Sequence, residues 1–295
     1  QQTLLFGEMH ERGRVHHREM LGRNKRGEIL TVEVSVEPIT LNETACLLLT
    51  ARDVSLLKNA EAQIRHLAYH DPLTNLPNRA LLMDRLSQQI ALLKRQNLRG
   101  ALLFLDLDHF KHINDSLGHP VGDTVLKIIT ARLEASVRME DTVARLGGDE
   151  FAVILSGIKD RSQASAIAAN LQQAFAAPVK LGNQEVSISA SIGITIAPED
   201  ASEEELLLKH ADLAMYEAKA RGKNTFHFFS PDLNEAANER LLIENQLREA
   251  IREHQFLLYY QPKIDIRDNS IVGYETLLRW LRPDNTLVPP LRFIG

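Results

Sequence analysis

The chain has 295 residues, 44% of them hydrophobic and 25% charged, which is the composition of an ordinary globular protein with room for one typical domain and a smaller piece. Its 34 basic residues are outnumbered by 39 acidic ones, and the net charge of −5 argues against a surface that binds nucleic acid. No apolar run is long enough to span a membrane and no signal peptide opens the sequence. We therefore expect no membrane contact from this segment, although an anchor at the inner membrane face could lie upstream.

The chain contains a single cysteine, Cys46, which cannot form an internal disulfide and is therefore consistent with a reducing cytoplasm. Cys46 lies in the apolar run from Ala45 to Leu49. These surroundings predict a small buried hydrophobic residue at position 46 and not a reactive thiol.

Residues 14–51 have the pattern of a meander of β-strands. Apolar and polar side chains alternate from Leu30 to Glu37, the period-two pattern of a half-buried strand, and turn-like segments flank them at 25–28 and 41–43. Alone, these strands are too few to bury a core. We interpret residues 1–52 as the C-terminal part of a larger domain.

Residues 53–70 are predicted to form a linker helix. Asp53 is the expected N-cap, and Leu57, Ile64 and Leu67 fall on one stripe of the helix. This spacing suits a two-stranded coiled coil and suits equally well an amphipathic helix that packs on its own domain.

Residues 71–231 alternate between helical and extended patterns. A capping box of Ser202 and Glu205 is expected to open the last of these helices, and Gly222 to end it. Strands mixed with helices and one hairpin predict an α/β (α+β) sandwich, in which helices flank a mixed, mainly antiparallel sheet. The predicted helices cover 78–96, 123–138, 162–175 and 202–221, and the predicted strands 101–107, 142–146, 151–155 and 186–196. A further helix (234–254) and two strands (256–260 and 271–278) follow.

Carboxylates follow two of the predicted strands. Asp106 and Asp108 end an apolar run, and Asp149 and Glu150 come directly after the Gly147-Gly148 pair, which favours a tight hairpin because glycine adopts positive φ without a steric penalty. Acidic side chains crowded at strand ends repel one another unless a cation lies between them. The sequence therefore predicts a site for a hard cation, magnesium or calcium, of the kind that usually serves nucleotide phosphates.

Several separated motifs closely resemble, in their order, those of the GGDEF family of diguanylate cyclases. The resemblance covers about residues 66–229. It implies a nucleotidyl-cyclase-like fold and an enzyme that condenses two GTP into cyclic di-GMP with release of pyrophosphate. The motifs are DPLTNLPNR at 71–79, DLDHFKHIND at 106–115, GHPVGD at 118–123, GGDEF at 147–151, ADLAMYEAK at 211–219 and GKN at 222–224.

The flanks of this region also resemble known domains. ARDVS at 51–55 is similar to the end of a PAS sensor domain, and YYQPK at 259–263 with YETLLRW at 274–280 is similar to the opening of an EAL phosphodiesterase domain, with Thr276 in place of an alanine. The expected organisation is a PAS-like part at 1–52, a linker helix at 53–70, the GGDEF domain at 71–231, and a linker helix with the truncated start of an EAL domain at 232–295. No phosphodiesterase activity is expected from this truncated part.

The resemblance assigns metal ligands and catalytic residues. Asp106 and Asp149, assisted by the carbonyl of Leu107, are implied to bind magnesium (or manganese), and Glu150 is implied to order the site or share in catalysis. The opposing interpretation, a solvated charge at a strand end, is disfavoured for Asp106 and Asp149. For Asp108, a structural hydrogen-bonding role and metal ligation remain equally open.

The resemblance also assigns residues that bind the substrate. Asn114 and Asp123 match the positions that read guanine, whose carbonyl and N–H groups an amide and a carboxylate can satisfy together. The alternative for Asp123 is that it only caps the following helix. The positions that match phosphate binding are Lys219, Lys223 and the backbone N–H groups of Phe110 and Lys111. Without the family pattern, these lysines would be taken as solvated.

Arg138 and Asp141 match an R-x-x-D site at which cyclic di-GMP inhibits its own synthesis, the alternative being a surface ion pair of little energetic value. Because one domain presents one GTP, the resemblance implies that the active form is a homodimer in which two sites face each other. Two rival functions remain open: a silent GTP-binding module that regulates an attached EAL domain, and a receptor for cyclic di-GMP.

Overall fold

The computed structural model describes residues 14–181, 184–290 and 293. The chain divides into two compact units, residues 1–82 and 83–295. Within the described residues, no helix is both long and apolar enough to cross a membrane.

The first unit contains a three-stranded antiparallel sheet in the order β1 (Val15–Arg23), β2 (Ile29–Leu41) and β3 (Thr44–Asp53). Its small core consists of Val15, Val34 and Val36. Every residue of β3 is exposed, Cys46 included. The prediction that Cys46 is buried is therefore wrong, because β3 is an edge strand whose apolar run has no covering layer within the described residues.

Helix α1 (Ser55–Tyr69) follows β3. Its N-cap is Val54, so the prediction of an Asp53 cap is wrong. The Asp53 carboxylate instead accepts a hydrogen bond from the backbone N–H of Ser55, at 2.9 Å. The predicted apolar stripe is solvent-exposed, with Ile64 at 68% and Leu67 at 62% exposure.

The second unit is built on a five-stranded sheet in the order β10-β9-β4-β6-β5. Three of its pairings are antiparallel and one, between β9 and β10, is parallel, which confirms the predicted mixed, mainly antiparallel sheet. A separate two-stranded ribbon is formed by β7 and β8. The strands are β4 (Arg99–Asp108), β5 (Thr142–Gly147), β6 (Glu150–Ile158), β7 (Val179–Leu181), β8 (Gln184–Val186), β9 (Ser189–Ala197) and β10 (Phe226–Phe228).

Helices pack against this sheet so closely that β4 and β9 are buried along almost their whole length. Gly193 on β9 shows how close this packing is, because a Cβ there would collide with the backbone of Ala211 and Met215 in α6. The helices are α2 (Arg79–Gln96), α3 (Phe110–Leu117), α4 (His119–Ser136), α5 (Arg161–Ala176) and α6 (Glu204–Ala220).

The starts of α4 and α6 differ from the sequence prediction. Helix α4 begins at His119, four residues earlier than predicted, because Pro120 is well suited to a first helical turn. Helix α6 begins at Glu204 with Glu203 as its N-cap and no side-chain cap, so the predicted capping box of Ser202 and Glu205 is wrong.

The chain then forms α7 (Pro231–Arg252), β11 (Phe256–Ile264), β12 (Ile271–Leu281) and β13 (Leu287–Val288). The three strands pair antiparallel in the order β11-β12-β13. A small core of Ala250, Trp280 and Val288 joins α7 to this sheet, and the Trp280 indole N–H donates to the Gln255 side chain at 3.1 Å.

Candidate active site

Strand pairing brings the predicted metal ligands to one rim of the five-stranded sheet. Asp106, near the end of β4, lies opposite Glu150, the first residue of β6. The backbone N–H of Leu107 donates to the carbonyl of Asp149 at 3.2 Å. Because β6 begins where the hairpin turn ends, Asp106 and the Asp149-Glu150 pair share this rim. The rim therefore contains both predicted carboxylate ligands and the predicted catalytic Glu150.

The hairpin turn between β5 and β6 lies one residue later than predicted. Gly147 and Glu150 are paired, so the two central residues are Gly148 and Asp149, not Gly147 and Gly148. Both glycines nevertheless have positive φ, 148° at Gly147 and 52° at Gly148, as expected for this pair. The Arg145 guanidinium donates to the Gly148 carbonyl from Nε at 3.1 Å and from Nη2 at 2.7 Å. Arg145 thereby braces the turn that presents Asp149.

Lys219 supplies a positive charge to the rim. Its Nζ lies 2.6 Å from Oδ2 of Asp106, and the two side chains are 31% and 12% exposed. Lys219 is on the last turn of α6, which packs on β9 and β4. The structure thus places one predicted phosphate-binding lysine directly beside the predicted metal-binding carboxylate.

The carboxylates of the rim destabilise one another's charged forms. Burial raises the pKa of Asp106; the hydrogen bond and charge of Lys219 oppose this rise, while Asp149 and Asp108 add to it. Burial also raises the pKa of Glu150, and the negative charges of Asp106, Asp212 and Asp149 raise it further. An additional cation would relieve this repulsion.

The chemistry of these donors fits magnesium. Among the residues that the structure describes, no three His, Cys, Asp or Glu side chains are grouped so as to hold a metal ion. Magnesium does not need such a cage, because it is usually bound through one or two carboxylates, waters and substrate phosphates. Asp106, Asp149 and the carbonyl of Leu107 match that smaller requirement.

Asp108, whose role the sequence left open, is held by hydrogen bonds. It is 4% exposed. Its Oδ1 accepts from the Ser191 hydroxyl at 2.7 Å, and its Oδ2 accepts from the Ser189 hydroxyl at 2.7 Å and from the backbone N–H of Asn224 at 3.0 Å. These contacts match the structural role considered for Asp108.

Lys223 follows α6 through a Schellman motif, which confirms the predicted helix stop at Gly222. The N–H groups of Gly222 and Lys223 donate to the carbonyls of Lys219 and Ala218, at 3.3 and 3.2 Å, and Gly222 has a φ of 112°. The Lys223 ammonium lies 3.3 Å from Nε2 of His109. Both predicted phosphate-binding lysines are thus carried by the end of one helix.

The predicted guanine readers lie on two successive helices. Asn114 is on α3 and Asp123 is inside α4, so the alternative that Asp123 only caps that helix is wrong, because the helix begins four residues earlier. Gly122 lies against the Asn114 side chain so closely that a Cβ there would collide with its amide oxygen. The Asn114 amide is therefore beside the residue that precedes Asp123.

The Phe110-Lys111 pair opens α3, directly after the strand that carries Asp106. The Phe110 side chain is buried and lies near Gly122, whereas the Lys111 side chain is exposed. Between strand and helix, His109 adopts a left-handed conformation with a φ of 61°. The first N–H groups of a helix have no partner within it and favour anions, as the assignment of these two residues to phosphate requires.

The Arg138–Asp141 segment lies at the other end of β5 from the hairpin turn. The Asp141 carboxylate accepts from the backbone N–H of Arg138 and from that of Ser156, both at 3.0 Å. The Arg138 side chain is 57% exposed and its Nη1 lies 3.8 Å from Glu140. Because the six residues of β5 span about 20 Å, this segment is separate from the rim.

Two residues that the sequence analysis missed contribute to the site. Asp212 raises the pKa of Glu150, and His109 contacts Lys223. Helical spacing could have indicated Asp212, which lies two turns before Lys219 on the same face of α6. No sequence signal paired His109 with Lys223.

Comparison with known proteins identifies the family. Residues 68–225 match the model "Diguanylate cyclase, GGDEF domain", and residues 244–295 match the EAL domain model. The bifunctional diguanylate cyclase/cyclic di-GMP phosphodiesterase MucR of Pseudomonas aeruginosa is 43% identical over 238 residues, which are 81% of this chain and 35% of MucR. The cyclic di-GMP phosphodiesterase NbdA of the same organism is 40% identical over 242 residues, 81% of this chain and 30% of NbdA.

A solved structure supports the fold. The GGDEF domain of YfiN (TpbB) from Pseudomonas aeruginosa is 42% identical and superposes with a TM-score of 0.56, covering 58% of this chain and 99% of that one. The chain spans about a third of the length of MucR and NbdA. It belongs to the GGDEF family and continues into the start of an EAL domain.

Proposed function

We propose that this chain is a diguanylate cyclase that condenses two GTP into cyclic di-GMP with release of pyrophosphate. The observation that carries the proposal is the convergence of Asp106, Asp149 and Glu150 on one rim, with the Lys219 ammonium against Asp106. The name of MucR, which includes diguanylate cyclase activity, supports it. The reaction uses cytoplasmic GTP.

The reaction joins a ribose 3′-hydroxyl to the α-phosphate of a second GTP. Asp106, Asp149 and the Leu107 carbonyl are the groups that would hold magnesium or manganese, which neutralises phosphate charge and makes the attacking hydroxyl more acidic. Glu150, beside them, orders the rim or takes part in catalysis. Its pKa is raised, and perturbed pKa values are typical of residues at functional sites.

The remaining residues hold the nucleotide. Lys219 and Lys223, on and after the last turn of α6, bind the phosphates together with the backbone N–H groups of Phe110 and Lys111. Asn114 and Asp123 read guanine. Orienting both reactants accounts for much of the catalysis in such a transfer, because the protein supplies little covalent chemistry.

The active form is proposed to be a homodimer, since each domain presents one GTP and the reaction needs two. The exposed stripe of Ile64 and Leu67 on α1 offers an apolar surface for pairing under the control of a PAS-like sensor. Ile64→Asp should lower turnover and leave the affinity for GTP unchanged. Rates of cyclic di-GMP formation and GTP titration measure these two quantities, and sedimentation velocity reports the loss of dimer. Unaltered turnover would argue against this arrangement.

Arg138 and Asp141 are proposed to form a site at which cyclic di-GMP inhibits synthesis. Arg138 presents an exposed guanidinium that can bind guanine or phosphate with two parallel hydrogen bonds. Asp141 fixes the backbone of the segment through Arg138 and Ser156 and keeps acceptor capacity for a guanine edge.

A second candidate is a silent GTP-binding or cyclic di-GMP-binding module that regulates an attached EAL phosphodiesterase. It is favoured by NbdA, whose name gives only phosphodiesterase activity. Such modules usually lose signature carboxylates, whereas Asp149 and Glu150 are both present here.

One experiment separates these functions. The purified chain is incubated with GTP and Mg²⁺, and cyclic di-GMP and pyrophosphate are quantified beside the binding of both nucleotides. A cyclase forms product, and Asp149→Asn reduces the rate at least about a hundredfold, the order lost when a group that stabilises transition-state charge is removed. Glu134→Gln, which removes an exposed carboxylate from α4, is the matched control. Binding of GTP without any product would favour the silent module.

A further inference from the structure

Asp108 joins three segments of the second unit. It ends β4, accepts from Ser189 and Ser191 on β9, and accepts from the backbone N–H of Asn224 in the loop after α6. We call these four residues the Asp108 junction. With two donors on Oδ2 and one on Oδ1, the carboxylate has most of its acceptor capacity filled by the protein.

The loop held by this junction carries Lys223. Lys223 and Asn224 have φ values of 63° and 45°, a left-handed backbone that residues other than glycine adopt at a cost. Two consecutive residues of this kind need an external contact to persist. The hydrogen bond from the Asn224 backbone N–H to the buried Asp108 carboxyl group is such a contact, and it acts one residue after Lys223.

The side chain of Lys223 is directed by the same part of the chain. His109, the residue after Asp108, lies 3.3 Å from the Lys223 ammonium through Nε2. Asp108 thus fixes the backbone beside Lys223, and His109 contacts its charged end. The junction also sets the distance between this lysine and Asp106, which is two residues before Asp108 on β4.

We propose that Asp108 is a positioning residue for recognition of the triphosphate: it holds the 222–225 loop in place, so that Lys223 meets the phosphates bound at the Asp106 rim, and it does not ligate the metal. This inference rests on the proposed function, because it takes Lys223 to bind phosphate.

The experiment measures binding by the whole 295-residue chain in Asp108→Ala, Asp108→Asn, Lys223→Ala and the Asp108→Ala, Lys223→Ala double variant. The ligands are GMP and α,β-methylene GTP, which cannot react at the bond that the cyclase breaks. Calorimetry at low and saturating Mg²⁺ gives two ratios. The first is the preference for triphosphate over monophosphate, and the second is the factor by which Mg²⁺ tightens triphosphate binding.

Asp108→Ala should reduce the preference for triphosphate about tenfold and leave GMP affinity within about twofold. A tenfold change in affinity corresponds to the loss of about one hydrogen bond to a charged group. Adding Lys223→Ala to Asp108→Ala should reduce the preference for triphosphate little further, because both changes remove the same contact between Lys223 and the phosphates. Asp108→Asn should retain most of the preference, since its amide oxygen still accepts from Asn224 while the Ser191 hydroxyl turns to accept from the amide. The Mg²⁺ factor should match that of the wild type in both Asp108 variants.

Three outcomes would overturn the inference. Equal losses for GMP and triphosphate would indicate general structural damage, a reduced Mg²⁺ factor in both Asp108 variants would indicate a metal ligand, and additive losses in the double variant would separate Asp108 from Lys223. If Asp108→Ala does not fold, Asp108→Ser replaces it, because its short hydroxyl cannot reach Asn224. Formation of cyclic di-GMP by the wild type is measured in parallel, so the proposed function can stand when this inference fails.

Discussion

Asp106 and Asp108 lie two residues apart on β4 and on the same face of the strand, yet their surroundings differ completely. Asp108 accepts three hydrogen bonds from Ser189, Ser191 and Asn224. Asp106 contacts one lysine ammonium, and its pKa is raised by burial and by the neighbouring carboxylates. Hydrogen-bond donors stabilise a carboxylate where it is, whereas repulsion between carboxylates leaves it ready for a cation. This difference in contacts supports the proposed roles, positioning for Asp108 and metal binding for Asp106.

The same contrast distinguishes two ends of β5. Beyond the end at Gly147, Asp149 and Glu150 crowd the rim near Asp106. Before the start at Thr142, Asp141 is occupied by the backbone N–H groups of Arg138 and Ser156. Acidic residues therefore flank both ends: Asp149 and Glu150 at the rim are proposed to act in catalysis, and Asp141 holds the backbone of the segment proposed to bind the product.

The largest expected effect comes from neutralising Asp106, with the same substitution at Asp108 as the comparison. Asp106→Asn should lower the rate of cyclic di-GMP formation at least about a hundredfold, because it removes charge where phosphate charge must be balanced. Asp108→Asn should lose severalfold at most, because its amide still fits the junction. Initial rates at saturating GTP and Mg²⁺ measure both. Equal losses would erase the distinction between the two carboxylates.

Gly122→Ala tests whether packing can position a binding group as hydrogen bonds do. The new Cβ would displace the Asn114 amide, so we expect selectivity for GTP over ATP to fall about tenfold, as when one base-reading hydrogen bond is lost. The preference for triphosphate over GMP should not change, since the Asp108 junction is untouched. In an Asn114→Ala background the substitution should have little further effect, since only the looser contact with the Phe110 ring remains, and a fully additive loss there would contradict the steric explanation.

Arg138→Ala and Asp141→Asn test the other end of β5. Arg138→Ala should raise the inhibition constant for cyclic di-GMP about tenfold and leave the initial rate within about twofold, because the exposed guanidinium makes no contact with the rim. Asp141→Asn should weaken the inhibition and also lower Tm, because the same carboxylate is proposed to accept from guanine and holds two backbone N–H groups. Progress curves with added cyclic di-GMP, together with thermal melts, measure both effects. Inhibition that persists in Arg138→Ala would remove Arg138 from the site.

Local patterns predicted the mixed sheet and the hairpin, whereas the convergence of Asp106 and Asp149 on one rim was implied by the family resemblance, because it depends on the pairing of β4 with β6. Apolar runs define β4 and β9, and the positive φ of Gly147 and Gly148 follows from their lack of a Cβ. The details that failed are also local. The start of α4 at His119 and the absent capping box of α6 show that short caps are weak signals when packing on a sheet decides where a helix begins.

The role of Asp108 could not be derived from sequence. Its partners Ser189, Ser191 and Asn224 lie 81, 83 and 116 residues further along the chain. The antiparallel register of β4 and β9 sets Ser189 opposite Asp108, and the parallel pairing of β10 with β9 brings the preceding loop with Asn224 to the same place. The serines belong to the polar positions of an alternating strand and would be assigned to solvent, but Ser191 is fully buried. The sequence shows which residues have carboxyl groups, and the strand register determines which of these groups accept hydrogen bonds from the protein.

Stability provides the smallest and most discriminating test of the comparison. Burial and three neighbouring carboxylates raise the pKa of Glu150 above its ordinary value of 4.5, so its charged form opposes folding at neutral pH. Without added Mg²⁺, Glu150→Gln should therefore raise Tm by about 1–3 °C, a modest gain because the partial exposure of Glu150 screens the repulsion. Asp108→Asn should lower Tm, because one of its two side-chain oxygens, which accept three hydrogen bonds, becomes an NH₂ group.

The pH dependence of this gain has a definite sign. The wild type loses stability as pH rises from 4.5 through the raised pKa, since the folded form holds the proton more tightly than the unfolded form does. The gain in Tm from Glu150→Gln should be complete above that pKa. It should vanish below pH 4.5, where wild-type Glu150 is protonated in both the folded and the unfolded state. Thermal melts from pH 4 to 8, with Glu134→Gln as the control, measure it. A gain independent of pH would mean that repulsion at the rim is not its cause.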